Sequence, residues 1–174
     1  MTTVVTPRCR AAVITVSDSR AGGGSGDESG DVIAERLRGL PAAIIHRCVV
    51  ADSIDEIQSA LRRAIGIAEV IVLTGGTGLG PRDVAPQAVE PLLDYQIPGM
   101  SEAMRHDGVQ RTPHAMLSRQ IVGVANQCLI IALPGSPRAV AESLDSVWAA
   151  MPHALALLQG NTAHRTAVGR DATT

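Results

Sequence analysis

Apolar positions along the 174-residue chain follow two rhythms that alternate. Short unbroken runs of Val, Ile and Ala predict strands near 11–16 ("AAVITV"), 43–50 ("AIIHRCVV"), 69–74 ("EVIVLT") and 128–133 ("CLIIAL"). Between them, apolar residues recur every three or four positions and predict helices near 30–38, 54–65, 86–93, 99–107 and 137–158, the last bent or broken at Pro152. A further run at 120–124 ("QIVGV") predicts a strand that pairs with 128–133 through the turn "ANQ". This alternation predicts an α/β fold: a single-domain three-layer sandwich with a mostly parallel sheet, one antiparallel edge hairpin, and helices on both faces. The domain is expected over 11–160, with 1–10 as an N-terminal extension. Residues 161–174 lack apolar periodicity and read as a loose tail.

The connections are unequal. Links from helix to strand are short and plain ("GLPA", "GIA"), whereas those leaving strands are polar and rich in glycine: "SDSRAGGGSGDESG", "ADS", "TGGTGLGPRD" and "PGSPR". In an open parallel sheet the strand C-termini share one edge, and ligands bind in the crevice outside it. Four polar loops are therefore expected to meet at one site.

Composition narrows the chemistry. All 15 basic residues are Arg, which removes lysine Schiff-base chemistry and the Walker lysine. A formal net charge of -2 gives no general attraction to nucleic acid or anionic membrane, and an aromatic content of 1% leaves no base-stacking surface. The three cysteines, Cys9, Cys48 and Cys128, are widely spaced and read as buried thiols in a reducing compartment. With neither a signal-peptide core nor a membrane-spanning run, a cytoplasmic location is expected. The five histidines show no metal-ligand spacing.

Gly75, Gly76, Gly78 and Gly80 are more than a tight turn needs, and they let backbone N–H groups approach a ligand. The loop is neither GxGxxG nor GK[ST], so nicotinamide binding and Walker-type hydrolysis lose support. Asp83, just before Pro86, reads equally as a turn contact and as a functional carboxylate. Asp52 has the same two readings, since it or Ser53 could cap the following helix. Asp18 in "VSDS" is a third carboxylate at the same edge. Three such groups repel one another unless a cation or an Arg lies between them, and Mg²⁺ with a polyphosphate is a common reason to accept that cost. Metal-assisted phosphoryl or nucleotidyl transfer is thus the leading chemistry. Ser136 in "LPGSPR" reads as an N-cap with Pro137 at the first helical position, an arrangement still able to receive an anion near Arg138.

Several motifs in order ("VSDS" with "GDESG", the Asp of "VVADS", "TGGTGLGPRDVAP", "PGMSEAMR", "AMLSRQ" and "LPGSPRAV") resemble the molybdopterin adenylyltransferase family, the MogA/MoaB-like proteins related to the gephyrin G domain. The resemblance runs from about Ala11 to Gly160. It implies binding of molybdopterin and MgATP, adenylylation of the pterin's terminal phosphate, and release of pyrophosphate. It also implies that Asp52 and Asp83 are the functional carboxylates and hold Mg²⁺. Ser17, Asp18, Ser19, Gly75, Gly76, Thr77, Gly78, Gly80 and Arg82 are then expected to border nucleotide and substrate, with Ser118, Arg119, Pro134, Gly135, Ser136 and Pro137 toward the pterin. A homotrimer or hexamer, and contact with a molybdenum-insertion protein, are implied as well.

Three positions depart from the family pattern. Ala85 stands where Thr is common, removing a hydroxyl cap worth about 1 kcal/mol. "ADS" carries one acid where a second often follows, unless Asp55 or Glu56 substitutes. Adenine finds almost no aromatic partner. The first two sustain an alternative, a molybdopterin-binding scaffold with little or no catalysis; a nucleotide pyrophosphatase acting on a dinucleotide-like substrate, chemistry toward which related domains have diverged, is a more distant reading.

Overall fold

Val13 and Ile14 are adjacent and both fully buried, yet they belong to separate apolar cores. Both lie in strand β1 (Cys9–Val16), where successive side chains point to opposite faces and all but Arg10 are buried. A strand covered on both faces needs an unbroken apolar run, which is why the sequence shows no polar alternation here. The computed structural model describes residues 9–24, 26–40 and 42–160.

After β1 come a one-turn helix α1 (Asp18–Ala21), α2 (Glu28–Leu37), β2 (Ala42–Val50), α3 (Ile54–Ala64), β3 (Val70–Thr74) and α4 (Ala85–Val89). The chain continues through β4 (Tyr95–Gln96), α5 (Pro98–Val109), β5 (Ile121–Ala125), β6 (Cys128–Leu133), α6 (Pro137–Val147) and α7 (Met151–Leu158). The six strands form one sheet in the order β2-β1-β3-β6-β5-β4. β2, β1, β3 and β6 run parallel, and β5 and β4 are antiparallel additions at one edge.

One face, with Val13, Val72 and Ile131, is covered by α2, α5, α6 and α7. The other, with Ile14, Leu73 and Ile130, is covered by α3 and α4. α3 buries Ile57, Ala60, Leu61 and Ala64, the i, i+3, i+4, i+7 stripe of an amphipathic helix.

The predicted three-layer α/β sandwich is the observed fold, and the hairpin is present, with Ala125 paired to Cys128. Its two turn residues, Asn126 (φ 47°) and Gln127 (φ 62°), both take the left-handed conformation that a two-residue type I′ turn requires. Beyond the hairpin the two-residue strand β4 was not predicted, because two exposed residues are too few to show a strand's alternation. β1 begins at Cys9, inside the stretch expected to be an extension. The expected helix over 137–158 is interrupted at a 3₁₀ turn, Trp148–Ala150, and not at Pro152. Pro152 is the second residue of α7, where no intrahelical N–H bond is lost. The predicted tail, 161–174, lies outside the described residues.

Candidate functional site

The four parallel strands end at one edge, and the loops that leave them are tied together. Ser17 N–H donates to Val50 O (2.8 Å), bringing the loop after β1 beside the loop after β2. There Asp18 N–H donates to Asp52 Oδ2 and Asp52 N–H to Asp18 Oδ1, each at 2.9 Å. Each carboxylate thus serves the other's backbone, which lets two acids sit side by side. Arg82, from the loop after β3, reaches across to Asp18 Oδ2 at 3.1 Å and supplies the intervening positive charge. Both oxygens of Asp18 are therefore engaged. The sole hydrogen bond to the Asp52 carboxylate among the described residues falls on Oδ2.

The chain leaves β1 for β2 on one side and returns to β3 on the other, so the crevice between β1 and β3 is a topological switch point. Gly75 fills that crevice with φ +102°, and a Cβ there would stand 2.3 Å from Val16 O. Only glycine fits. Gly75 N–H donates to Leu133 O at 3.1 Å and Thr74 Oγ1 to Pro134 O at 2.7 Å, which fastens the glycine loop to the loop after β6.

Asp83 folds back under the same loop. Its Oδ2 accepts from Gly80 N–H at 2.8 Å, and a Cβ on Gly78 would lie 2.7 Å from that oxygen. The turn-contact reading and the functional reading are thus compatible at Asp83. Arg119 pins the loop from outside: its N–H donates to Thr77 O (2.9 Å), Nε to Gly78 O (2.8 Å), and its guanidinium also to Asp83 O. This guanidinium is committed to loop carbonyls.

A cleft of about 310 Å³ opens here, walled by Gly76, Thr77, Gly78, Asp83, Ser118 and Gly135. Its rim includes Pro134, His114 and Leu117, the latter two carried by the 3₁₀ turn Pro113–Leu117. His114 and Leu117 carried no sequence signal, since one exposed His and one exposed Leu in a turn look like ordinary surface. Ser17 and Ser19 lie on the α1 side, with their hydroxyls 3.2 Å apart.

Two expected caps differ. Ser136 Oγ accepts from Ala139 N–H at 3.2 Å and caps α6, with Pro137 opening the helix, as the sequence indicates. Ser53 occupies the N-cap of α3 without a side-chain bond, and Asp52 turns to Asp18 instead. Glu56 Oε2 accepts from Ala51 N–H at 3.2 Å, so it serves the same loop. The sequence reading missed Asp27. Its carboxylate caps α2 at Gly30 N–H (3.1 Å), accepts from Thr15 Oγ1 (2.9 Å) and pairs with Arg47 (2.7 Å), anchoring the glycine-rich segment that follows β1.

The cysteines stand apart from this edge chemistry. Burial pushes the Cys9 and Cys48 thiols up, and that of Cys128 up to about 12, so all three are held protonated. Among the described residues no group of three or more His, Cys, Asp or Glu side chains could hold a metal ion. Mg²⁺ bound with a nucleotide needs only one or two carboxylates plus phosphate oxygens. Asp52 and Asp83 suit that mode, because each spends only Oδ2 on a backbone N–H.

Residues 12–153 match a family profile described as "Probable molybdopterin binding domain". The chain is 42% identical over 151 residues to a molybdenum cofactor biosynthesis bifunctional protein of Synechococcus elongatus, covering 86% of this chain but 47% of that protein. It is 37% identical over 153 residues to a molybdopterin adenylyltransferase of Helicobacter pylori, covering 86% and 87% of the two chains. The solved structure of the molybdopterin biosynthesis enzyme MoaB from Thermus thermophilus superposes with a TM-score of 0.82 at 40% identity, covering 87% of this chain and 97% of that one.

Proposed function

The chain belongs to the molybdopterin-binding domain family, and we propose that it acts in molybdenum cofactor biosynthesis as an adenylyltransferase. In this reading it transfers the adenylyl group of ATP to the terminal phosphate of molybdopterin and releases pyrophosphate. The observation that carries it is the cleft, where the glycine loop and Asp83 face Ser118 across one opening, beside the coupled Asp18–Asp52 pair.

The chemistry asks little covalent work of the protein. A phosphate monoester is largely ionised near neutral pH, with a second pKa of about 6, so the nucleophile needs no lysine or histidine base. It needs orientation and screening of charge. The glycines keep the cleft wall bare, so peptide groups rather than side chains meet the phosphates. Arg82, with its side chain 77% exposed, is free to exchange Asp18 for a phosphate. Asp52 and Asp83 would hold Mg²⁺, which when bound neutralises triphosphate charge.

The scaffold reading rested on Ala85 and on the single acid of the Ala51–Ser53 loop. Both places are structurally satisfied: Ala85 is fully buried with its N–H on Gly76 O (3.0 Å), and Glu56 closes the Ala51 loop. Assembly as a homotrimer or hexamer, and contact with a molybdenum-insertion protein, belong to the same proposal. No described helix is long and apolar enough to cross a membrane, and we place the enzyme in the cytoplasm.

Incubation with molybdopterin, ATP and Mg²⁺ tests the proposal. Pyrophosphate release that needs all three components is expected; pterin binding without release in the presence of ATP would favour the scaffold.

A further inference from the structure

Arg119 gives the glycine loop three donors and meets no acid. Its backbone N–H donates to Thr77 O at 2.9 Å, Nε to Gly78 O at 2.8 Å, and the guanidinium also to Asp83 O. Among the described residues no carboxylate pairs with this guanidinium, so its charge is spent on neutral carbonyls. Arg82 at the same edge differs: it is paired with Asp18 and its side chain is 77% exposed, whereas Arg119 is half-buried.

A trans peptide unit points its C=O and its N–H in opposite directions. Drawing the carbonyls of Thr77 and Gly78 toward Arg119 therefore turns the N–H groups of Gly78 and Leu79 to the far side. Among the described residues, the N–H groups of Gly76, Thr77, Gly78 and Leu79 donate to no protein acceptor. Four consecutive amides are thus left open, and Gly76, Thr77 and Gly78 wall the cleft. Successive N–H groups of this kind make a concavity suited to an anion. The loop is closed without Arg119, because Gly80 N–H donates to Asp83 Oδ2 (2.8 Å) and Ala85 N–H to Gly76 O (3.0 Å). What Arg119 adds is the direction of the peptide dipoles and a positive charge behind them.

We propose that Arg119 is a positioning residue for the phosphates: it acts through the glycine loop, holding carbonyls to the rear so that amides meet the anion, and touches no part of the pterin. The inference rests on the adenylyltransferase reading above and departs from the resemblance, which sets Arg119 toward the pterin. A guanidinium suits the task because its planar fork fixes two acceptors at once. Hydrogen bonds from an ionised donor are roughly twice as strong as neutral ones, and bonded groups polarise one another. The peptides that Arg119 holds therefore offer more positive N–H groups to the phosphates.

The test uses the full chain and two probes added separately, inorganic tripolyphosphate and fluorescent 6-hydroxymethylpterin. Arg119→Gln removes the charge; Arg119→Lys keeps it. In Arg119→Gln, verified as folded by its melting temperature, tripolyphosphate affinity should fall about tenfold or more while pterin affinity stays unchanged. Arg119→Lys should recover part of that loss, which a strut acting by shape alone would not explain. Should Arg119→Gln not fold, a smaller loss in Arg119→Lys that spares the pterin is the required result. Unchanged tripolyphosphate affinity in the variants, equal losses for both probes, no recovery in Arg119→Lys, or no binding of tripolyphosphate by wild type would overturn the assignment. Pyrophosphate release from molybdopterin and ATP, measured on the same preparations, separates the two ideas. If wild type releases it and tripolyphosphate affinity ignores Arg119, only the positioning role fails; if wild type releases none, the adenylyltransferase reading fails.

Discussion

Asp18 and Asp52 accept each other's backbone N–H, both at 2.9 Å, so two loops that leave neighbouring strands are latched at their tips. The latch makes Asp18 a positioning residue for Asp52. Asp18→Ala removes the acceptor for Asp52 N–H and the partner of Arg82, and should cost about 1–2 kcal/mol of stability. Asp18→Asn keeps an acceptor and should recover most of that loss. Denaturant midpoints of the two variants check this, and equal losses in both would show that the latch contributes nothing.

Asp83→Asn retains an oxygen that can accept from Gly80 N–H, so the loop should stay closed. Its charge is gone. Turnover is expected to fall about 10²–10³-fold, the scale of removing one charge-stabilising group, with the melting temperature nearly unchanged. Initial-rate assays at saturating ATP decide the matter, and wild-type turnover would remove Asp83 from the chemistry.

Asp27 combines a helix cap with a bond from Thr15 and an ion pair to Arg47. Asp27→Ala should therefore lower stability by about 2–3 kcal/mol. At roughly 2–4 °C per kcal/mol for a domain of this size, calorimetry should find a melting temperature lower by about 4–12 °C.

The Cys128 thiol is pushed up to about 12 by burial, with the nearby Glu69 charge adding to the shift. An unfolded cysteine ionises near pH 8.5. Above that pH the unfolded chain binds fewer protons than the native one, so stability falls as pH rises through and beyond about 8.5. Chemical denaturation at pH 7 and pH 9.5 should show the loss, and Cys128→Ala should reduce its slope. Thiol reagents at pH 8 should leave native Cys9 and Cys128 unmodified and label all three cysteines after denaturation.

The layered fold and the functional edge were legible because both are written locally. A short β-branched run such as Val70–Thr74 reads as a strand buried on both sides, and the glycines after Thr74 mark where backbone had to approach backbone. What escaped depends on partners distant in sequence. Asp27 gained its role from Thr15 and Arg47, 12 and 20 residues away, and nothing near it in the chain reveals either contact. Arg119 looked like a cation for a ligand, but the carbonyls of Gly78 and Asp83, 41 and 36 residues away, claim it.

The most direct test is the mass of the pterin recovered after incubation with ATP and Mg²⁺. A product heavier by one adenylyl group, formed by wild type and lost in Asp83→Asn, is the predicted result. Recovery of unaltered molybdopterin from the folded wild-type protein, with ATP intact, would contradict the account.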